Sequence, residues 1–130
     1  IEENDTSNDL KSYILKSYIN KDITTVKKEL DSLNIDVVTL GNGNRIIAQS
    51  IKAGDSIIEG EKLILKTNDK DIIMPSLINW SYKDVTSFCS MTSLECNFDG
   101  YGYVTNQSIT TGTKISNGSK LNINLKSKIE

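Results

Sequence analysis

Residues 94–125 read LECNFDGYGYVTNQSITTGTKISNGSKLNINL. Leu94, Cys96 and Phe98 alternate as in a half-buried strand, and a glycine turn follows at Asp99-Gly100-Tyr101-Gly102. A second strand carries Gln107-Ser108-Ile109. After turns at Gly112 and Gly118, a closing strand over Lys120–Lys126 sets Leu121, Ile123 and Leu125 against polar neighbours. The chain has already written this plan once. Gln49-Ser50-Ile51, Gly54, Gly60 and Lys62-Leu63 precede Gln107-Ser108-Ile109, Gly112, Gly118 and Lys120-Leu121 at one constant offset of 58 residues. A period of that size makes the repeat the unit of the fold.

Working outward, each copy needs a helix before its strands. Asp22 is placed to cap a helix over about Ile23–Leu33, with Val26, Leu30 and Leu33 on one apolar face. In the second copy Ser81-Tyr82-Lys83-Asp84 is a capping box opening a helix from Tyr82 to about Thr92. Gly41-Asn42-Gly43-Asn44 has the residues of a tight hairpin joining a strand at Ile35–Val38 to one at Arg45–Ile51. The expected fold class is α+β: two small repeats, each one α-helix packed on a three-stranded antiparallel β-sheet. The expected divisions are a polar linker at 1–12, the first repeat at 13–68, a short linker at 69–72 and the second repeat at 73–130. With so short a linker the two repeats should touch or move little relative to one another.

Of the 130 residues, 37% are hydrophobic and 25% charged, which is a globular composition, and the net charge is −2. Arg45 is the only arginine, and no basic cluster tracks a phosphate backbone, so nucleic acid is not an expected partner. Histidine is absent, which excludes Ser-His-Asp and Cys-His catalysis and the commonest metal ligand. No apolar run approaches the ~20 residues of a membrane span.

Met74-Pro75-Ser76-Leu77, Trp80-Ser81, Gly100-Tyr101-Gly102-Tyr103-Val104, Gln107-Ser108, Gly112 and Gly118-Ser119 together resemble the PASTA domain, the penicillin-binding protein and serine/threonine kinase associated module. The first copy resembles it through Gly41–Asn44, Ile47-Ala48-Gln49-Ser50, Ala53-Gly54 and Gly60. The sequence departs from the family pattern at Lys16, which stands where the second copy has Pro75. It departs again at Asn20 and Asn79 in place of glycine, and at Ile51 and Ile109 in place of proline. Asparagine tolerates left-handed backbone, so the fold is expected to survive.

The pairing resembles the carboxy-terminal tandem of class B penicillin-binding proteins, the septal transpeptidases of Gram-positive bacteria. That resemblance implies an extracytoplasmic location, an upstream transpeptidase domain and a membrane anchor outside this sequence. It also implies peptidoglycan or muropeptide as ligand, and division proteins or the transpeptidase domain itself as partners. Alternatives are the sensor ectodomain of a membrane serine/threonine kinase, or a spacer and docking platform without a small-molecule ligand.

No catalytic residues are expected. Acylation by a penicillin-binding protein needs serine three residues before lysine, and no lysine here has one; Lys-Thr-Gly and Lys-Ser-Gly are absent too. No cofactor or metal is expected, since Cys89 and Cys96 alone make a weak zinc site. These cysteines align with Leu30 and with Val37 or Val38, so buried core thiols are expected, with a disulfide as the alternative. Trp80, Tyr101 and Tyr103 are candidate ligand-binding residues, because aromatic rings stack on sugars and anchor partners. They stand against a packing role for Trp80 and Tyr82 at the junction or helix start, and cross-hairpin pairing of the tyrosines. Arg45 is a candidate for gripping a stem-peptide carboxylate, against a cross-strand surface charge. Lys27, Lys28 and Glu29 read as a solvated helix face. Tyr101 and Tyr103 do not repeat, facing Gly43 or Asn44 and Arg45, so recognition is expected there.

Overall fold

The structure, a computed structural model, describes residues 10–128. Most of the expected linker at 1–12 lies outside the described residues. The first repeat holds β1 (Ser12–Ile14), α1 (Ile23–Ser32), β2 (Asp36–Leu40), β3 (Ile46–Gln49), β4 (Ser56–Ile58) and β5 (Lys62–Thr67). The second holds β6 (Ile72–Ile73), α2 (Tyr82–Thr92), β7 (Glu95–Asp99), β8 (Tyr103–Gln107), β9 (Lys114–Ile115) and β10 (Lys120–Lys126). Each copy has one helix on a three-stranded sheet and a small two-stranded sheet beside it.

Local chemistry sets the helix starts. The Asp22 carboxylate accepts from the Thr25 N–H at 2.9 Å, and Ser81 Oγ accepts from the Asp84 N–H at 3.2 Å. Both helices end on left-handed residues in equivalent places, Asn34 at φ 63° and Ser93 at φ 59°. Asn20 and Asn79, at equivalent positions of the two copies, take φ 68° and 72°, and their backbone N–H groups donate to equivalent β-strand carbonyls, those of Ile46 and Val104.

The sheets are mixed, which corrects the antiparallel expectation. Their orders are β2-β5-β3 and β7-β10-β8, with β5 parallel to β2 and β10 parallel to β7. Gly41–Asn44 and Gly100–Gly102 therefore do not close hairpins between neighbouring strands. They step across the end of the central strand. A Cβ on Gly100 would strike the Leu125 carbonyl oxygen, and one on Gly102 would come within 2.5 Å of the Lys126 carbonyl oxygen. One on Gly41 would meet Thr67 Oγ1 at 2.7 Å. Glycine is needed here for a close backbone crossing rather than for a tight turn.

The repeated Gln-Ser pair is a clamp. Gln49 accepts from the Tyr18 N–H and donates to the Lys16 and Ile51 carbonyls; Gln107 accepts from the Leu77 N–H and donates to those of Pro75 and Ile109. Ser50 Oγ accepts from the Ile64 N–H, as Ser108 Oγ does from the Asn122 N–H. Each clamp ties the segment before the helix to the sheet.

Cys89 and Cys96 form a disulfide, which corrects the expectation of free core thiols. The bridge joins α2 to β7 across a Cα–Cα distance of 6.3 Å. Cys89 is buried, at 9% exposed, whereas Cys96 is only half-buried. The error arose because alignment with hydrophobes reports burial but not whether two thiols face each other. The equivalent residues in the first repeat, Leu30 and Val37, share one apolar cluster instead.

The repeats touch. Leu15, Tyr18, Val26, Leu30, Ile35, Ile46, Ile57, Leu63 and Leu65 form a core between α1 and its sheet. Leu40 and Ile64, with half-buried Val38, point from the other face of that sheet into the core of the second repeat, against Val85 and Phe88. A unit of about 60 residues has little interior of its own, so sharing a core offsets a deficit. Each such side chain contributes about 1.5–3 kcal/mol when fully buried. The connection is held as well: Asp69 accepts from the Asn42 and Asp71 N–H groups, and Asn68 exchanges backbone and side-chain bonds with Arg45.

Candidate functional site

The junction opens into a groove of about 290 Å³ beside the start of α2. One wall is the turn before β5, with Glu61 and Lys62. The other is the segment Asn79–Asp84 with Tyr103. That second wall is rigid for a local reason. Asn79 and Val104 donate to the carbonyls of Val104 and Trp80, and Tyr82 N–H donates to Gly102 O, so residues 79–82 are stitched to β8.

Trp80 is 8% exposed, with its ring edge-on to Phe88 at 5.9 Å. The Lys62 ammonium sits 5.0 Å over the same ring while pairing with Asp36 at 2.8 Å. Trp80 thus forms the floor of the groove and seals the two repeats together. Lys83 reaches across to Glu61 at 3.5 Å, an exposed pair worth little by itself. The mouth carries both signs of charge, the Ser81 hydroxyl and the Tyr103 ring, over which Lys128 lies at 4.5 Å. Such a lining suits a polar ligand bearing both carboxylate and amine or hydroxyl groups.

The candidate residues do not all come together. Trp80 and Tyr103 line the groove. Tyr101, 76% exposed, stands outside it on the crossing loop. Arg45 is in the first repeat, where its guanidinium donates to the Asn20 carbonyl at 2.8 Å. It occupies the position equivalent to Tyr103: each forms an isolated bridge to its helix cap, Arg45 to Asp22 and Tyr103 to Ser81. Tyr82 packs its ring on Phe98 at 5.0 Å. Glu61, Lys62 and Lys83 were not singled out from the sequence. The available signals were that Glu61 faces Ser119 and Lys83 faces Thr24 in the sister copies, charges without counterparts.

A depression of about 240 Å³ in the first repeat is lined by Lys16, Tyr18, Lys21, Asp22 and Glu29, sharing with the junction groove only the helix-start positions. Burial, with the Glu29 carboxylate beside it, pushes the Tyr18 phenol up. The Thr25 N–H and hydroxyl hold the Asp22 carboxyl below its ordinary range. Among the described residues no group of three or more His, Cys, Asp or Glu could hold a metal ion, and no helix is long and apolar enough to cross a membrane.

The profile of the PASTA domain matches residues 13–69 and again 72–127. No curated protein matches the chain. Among solved structures, Penicillin Binding Protein 2X from Streptococcus thermophilus superposes with a TM-score of 0.80 and 27% identity, over 90% of this chain and 17% of that one. The three-PASTA-domain of a Ser/Thr kinase from Staphylococcus aureus gives 0.37 and 17% identity over 91% of this chain and 66% of that one. The entire extra-cellular region of the Ser/Thr kinase PrkC from the same organism gives 0.39 and 14%, over 92% and 49%.

Proposed function

This chain belongs to the PASTA domain family through both of its repeats, and on that premise we propose that it is the non-catalytic tail of an extracytoplasmic penicillin-binding protein. In this reading it binds cell-wall muropeptide at the junction groove and so helps to position an upstream, membrane-anchored transpeptidase in peptidoglycan synthesis at division. The carrying observation is that both repeats superpose together on Penicillin Binding Protein 2X at a TM-score of 0.80. The Cys89–Cys96 disulfide supports an oxidising, extracytoplasmic compartment. The groove's paired charges and Tyr103 ring match the carboxylates, amines and sugar faces of a muropeptide.

The test is a titration of the intact chain with soluble muropeptides, reading Trp80 fluorescence and the NMR shifts of Tyr103 and Tyr101. Saturable changes at Trp80 and Tyr103, lost in Tyr103→Ala, are expected; no change at about millimolar ligand, the weak end of specific binding, overturns the binding role. A second reading, a spacer with no small ligand, draws on the burial of Trp80 and the engagement of Arg45 within its own repeat. A silent titration is its expected outcome.

A further inference from the structure

We infer that the two repeats form a closed stack whose single stacking surface is written in six positions, apolar at the junction and polar at both ends. The β2–β5 register places Val38 beside Ile64 and Leu40 one step beyond, and these side chains meet Trp80, Phe88 and Met91 of the second repeat in one apolar cluster. Lys66 reinforces the contact by donating to the Met91 carbonyl at 3.1 Å.

The equivalent β7–β10 register places Asn97 beside Asn122, with Asp99 one step beyond. All three are exposed, and Asn97 donates to Asn122 across the sheet at 3.3 Å. At the other end, the counterparts of Trp80, Phe88 and Met91 are Lys21, Glu29 and Ser32. Lys21 and Ser32 are exposed, and Glu29 pairs with Lys16 at 3.2 Å in solvent. Every one of the six positions switches class between the copies although the backbone plan is the same. Under another repeat's helix the Asp99 carboxylate and the amide groups of Asn97 and Asn122 beyond their one mutual bond would be desolvated without replacement partners, which is costly. The outer faces act as the polar caps that end a stack of repeats. A further copy, wherever it stood in a chain, would have no surface on which to dock in this geometry.

Two experiments on the full chain test this. In Ile64→Asn, the residue found at the equivalent position of the second repeat enters the junction. Trp80 fluorescence should then melt about 5 °C or more below the far-UV circular dichroism transition, whereas the two should coincide in the parent chain. If Ile64→Asn does not fold, half-buried Val38→Asn carries the same comparison. Coincident transitions in whichever of these folds overturn the shared unit.

The second experiment adds the code to the ends. One variant carries Asn97→Val, Asp99→Leu and Asn122→Ile; another carries Lys21→Trp, Glu29→Phe and Ser32→Met. Mixed, they should form a 1:1 complex in sedimentation, each alone and the parent chain remaining monomeric. Combined in one chain, the six changes should yield open-ended chains, as a head-to-tail interface that does not close requires. A mixture that stays monomeric, or a parent chain that stacks end to end, overturns the inference.

Discussion

The two repeats share a backbone plan and differ in what surrounds it. The first has α1 on one face of its sheet and the second repeat's α2 on the other, so β5 alternates between two cores: Leu63 and Leu65 inward, Ile64 outward. The second has one covered face, and β10 alternates between buried leucine or isoleucine and exposed asparagine or lysine. A strand buried on both faces reads as a continuous apolar run, and one buried on a single face alternates. Lys62-Leu-Ile-Leu-Lys and Lys120-Leu-Asn-Ile-Asn-Leu express that difference in their letters. The second repeat, with one sheet face uncovered, carries the disulfide.

The largest effect should come from breaking the crossing loops. Gly100→Ala adds a left-handed penalty and a collision with the Leu125 carbonyl, and we expect a loss of roughly 3–4 kcal/mol in chemical denaturation. Gly112→Ala, at φ 96° with nothing within 4 Å of its Cβ, should lose only the left-handed term, about 1–2 kcal/mol. Equal losses would mean that the loops do not cross as described.

Next, converting the second repeat to the first repeat's chemistry with Cys89→Leu and Cys96→Val removes a covalent link closing a short loop, worth about 2 kcal/mol. Added reductant should lower the melting temperature of the parent chain and leave this variant unmoved. Removing the cap in Ser81→Ala should then cost about 1 kcal/mol, read first as faster amide exchange at the start of α2.

The smallest effect should be an asymmetry in acid. Asp22 is held low by the Thr25 N–H, Glu59 by the Lys11 N–H and Asp69 by the Asp71 and Asn42 N–H groups. All three serve the first repeat or the connection. A carboxylate depressed in the folded state stabilises it above the unfolded pKa of about 4, and that stability fades as pH falls through the lower folded value. Amide exchange between about pH 5 and pH 3 should therefore loosen the first repeat before the second; simultaneous loosening would remove this distinction.

Much of this was legible in the letters. Asp22 and Ser81 marked the helix starts because a cap is a local requirement, and Gln107, Gly112, Gly118 and Leu121 were readable as scaffold because they recur. The site was half legible. Trp80 and Tyr103 stood out as aromatics, but Glu61 and Lys62 face Lys83 across a groove only once the repeats pack, and Arg45 was open between carboxylate grip and surface charge until Asn20 presented its carbonyl.

By itself the sequence determined the two copies, their helices, the strands of the three-stranded sheets and the buried face of each, but not the small two-stranded sheets, since periodicity and capping act over a few residues. Strand order, the disulfide and the junction were decided by tertiary structure. A glycine run serves a hairpin or a strand-end crossing equally well, and a buried cysteine pattern is the same with or without a bond. An outward isoleucine such as Ile64 finds its partner only when the neighbouring repeat arrives. Those choices rest on contacts between residues distant in sequence, which no local pattern encodes.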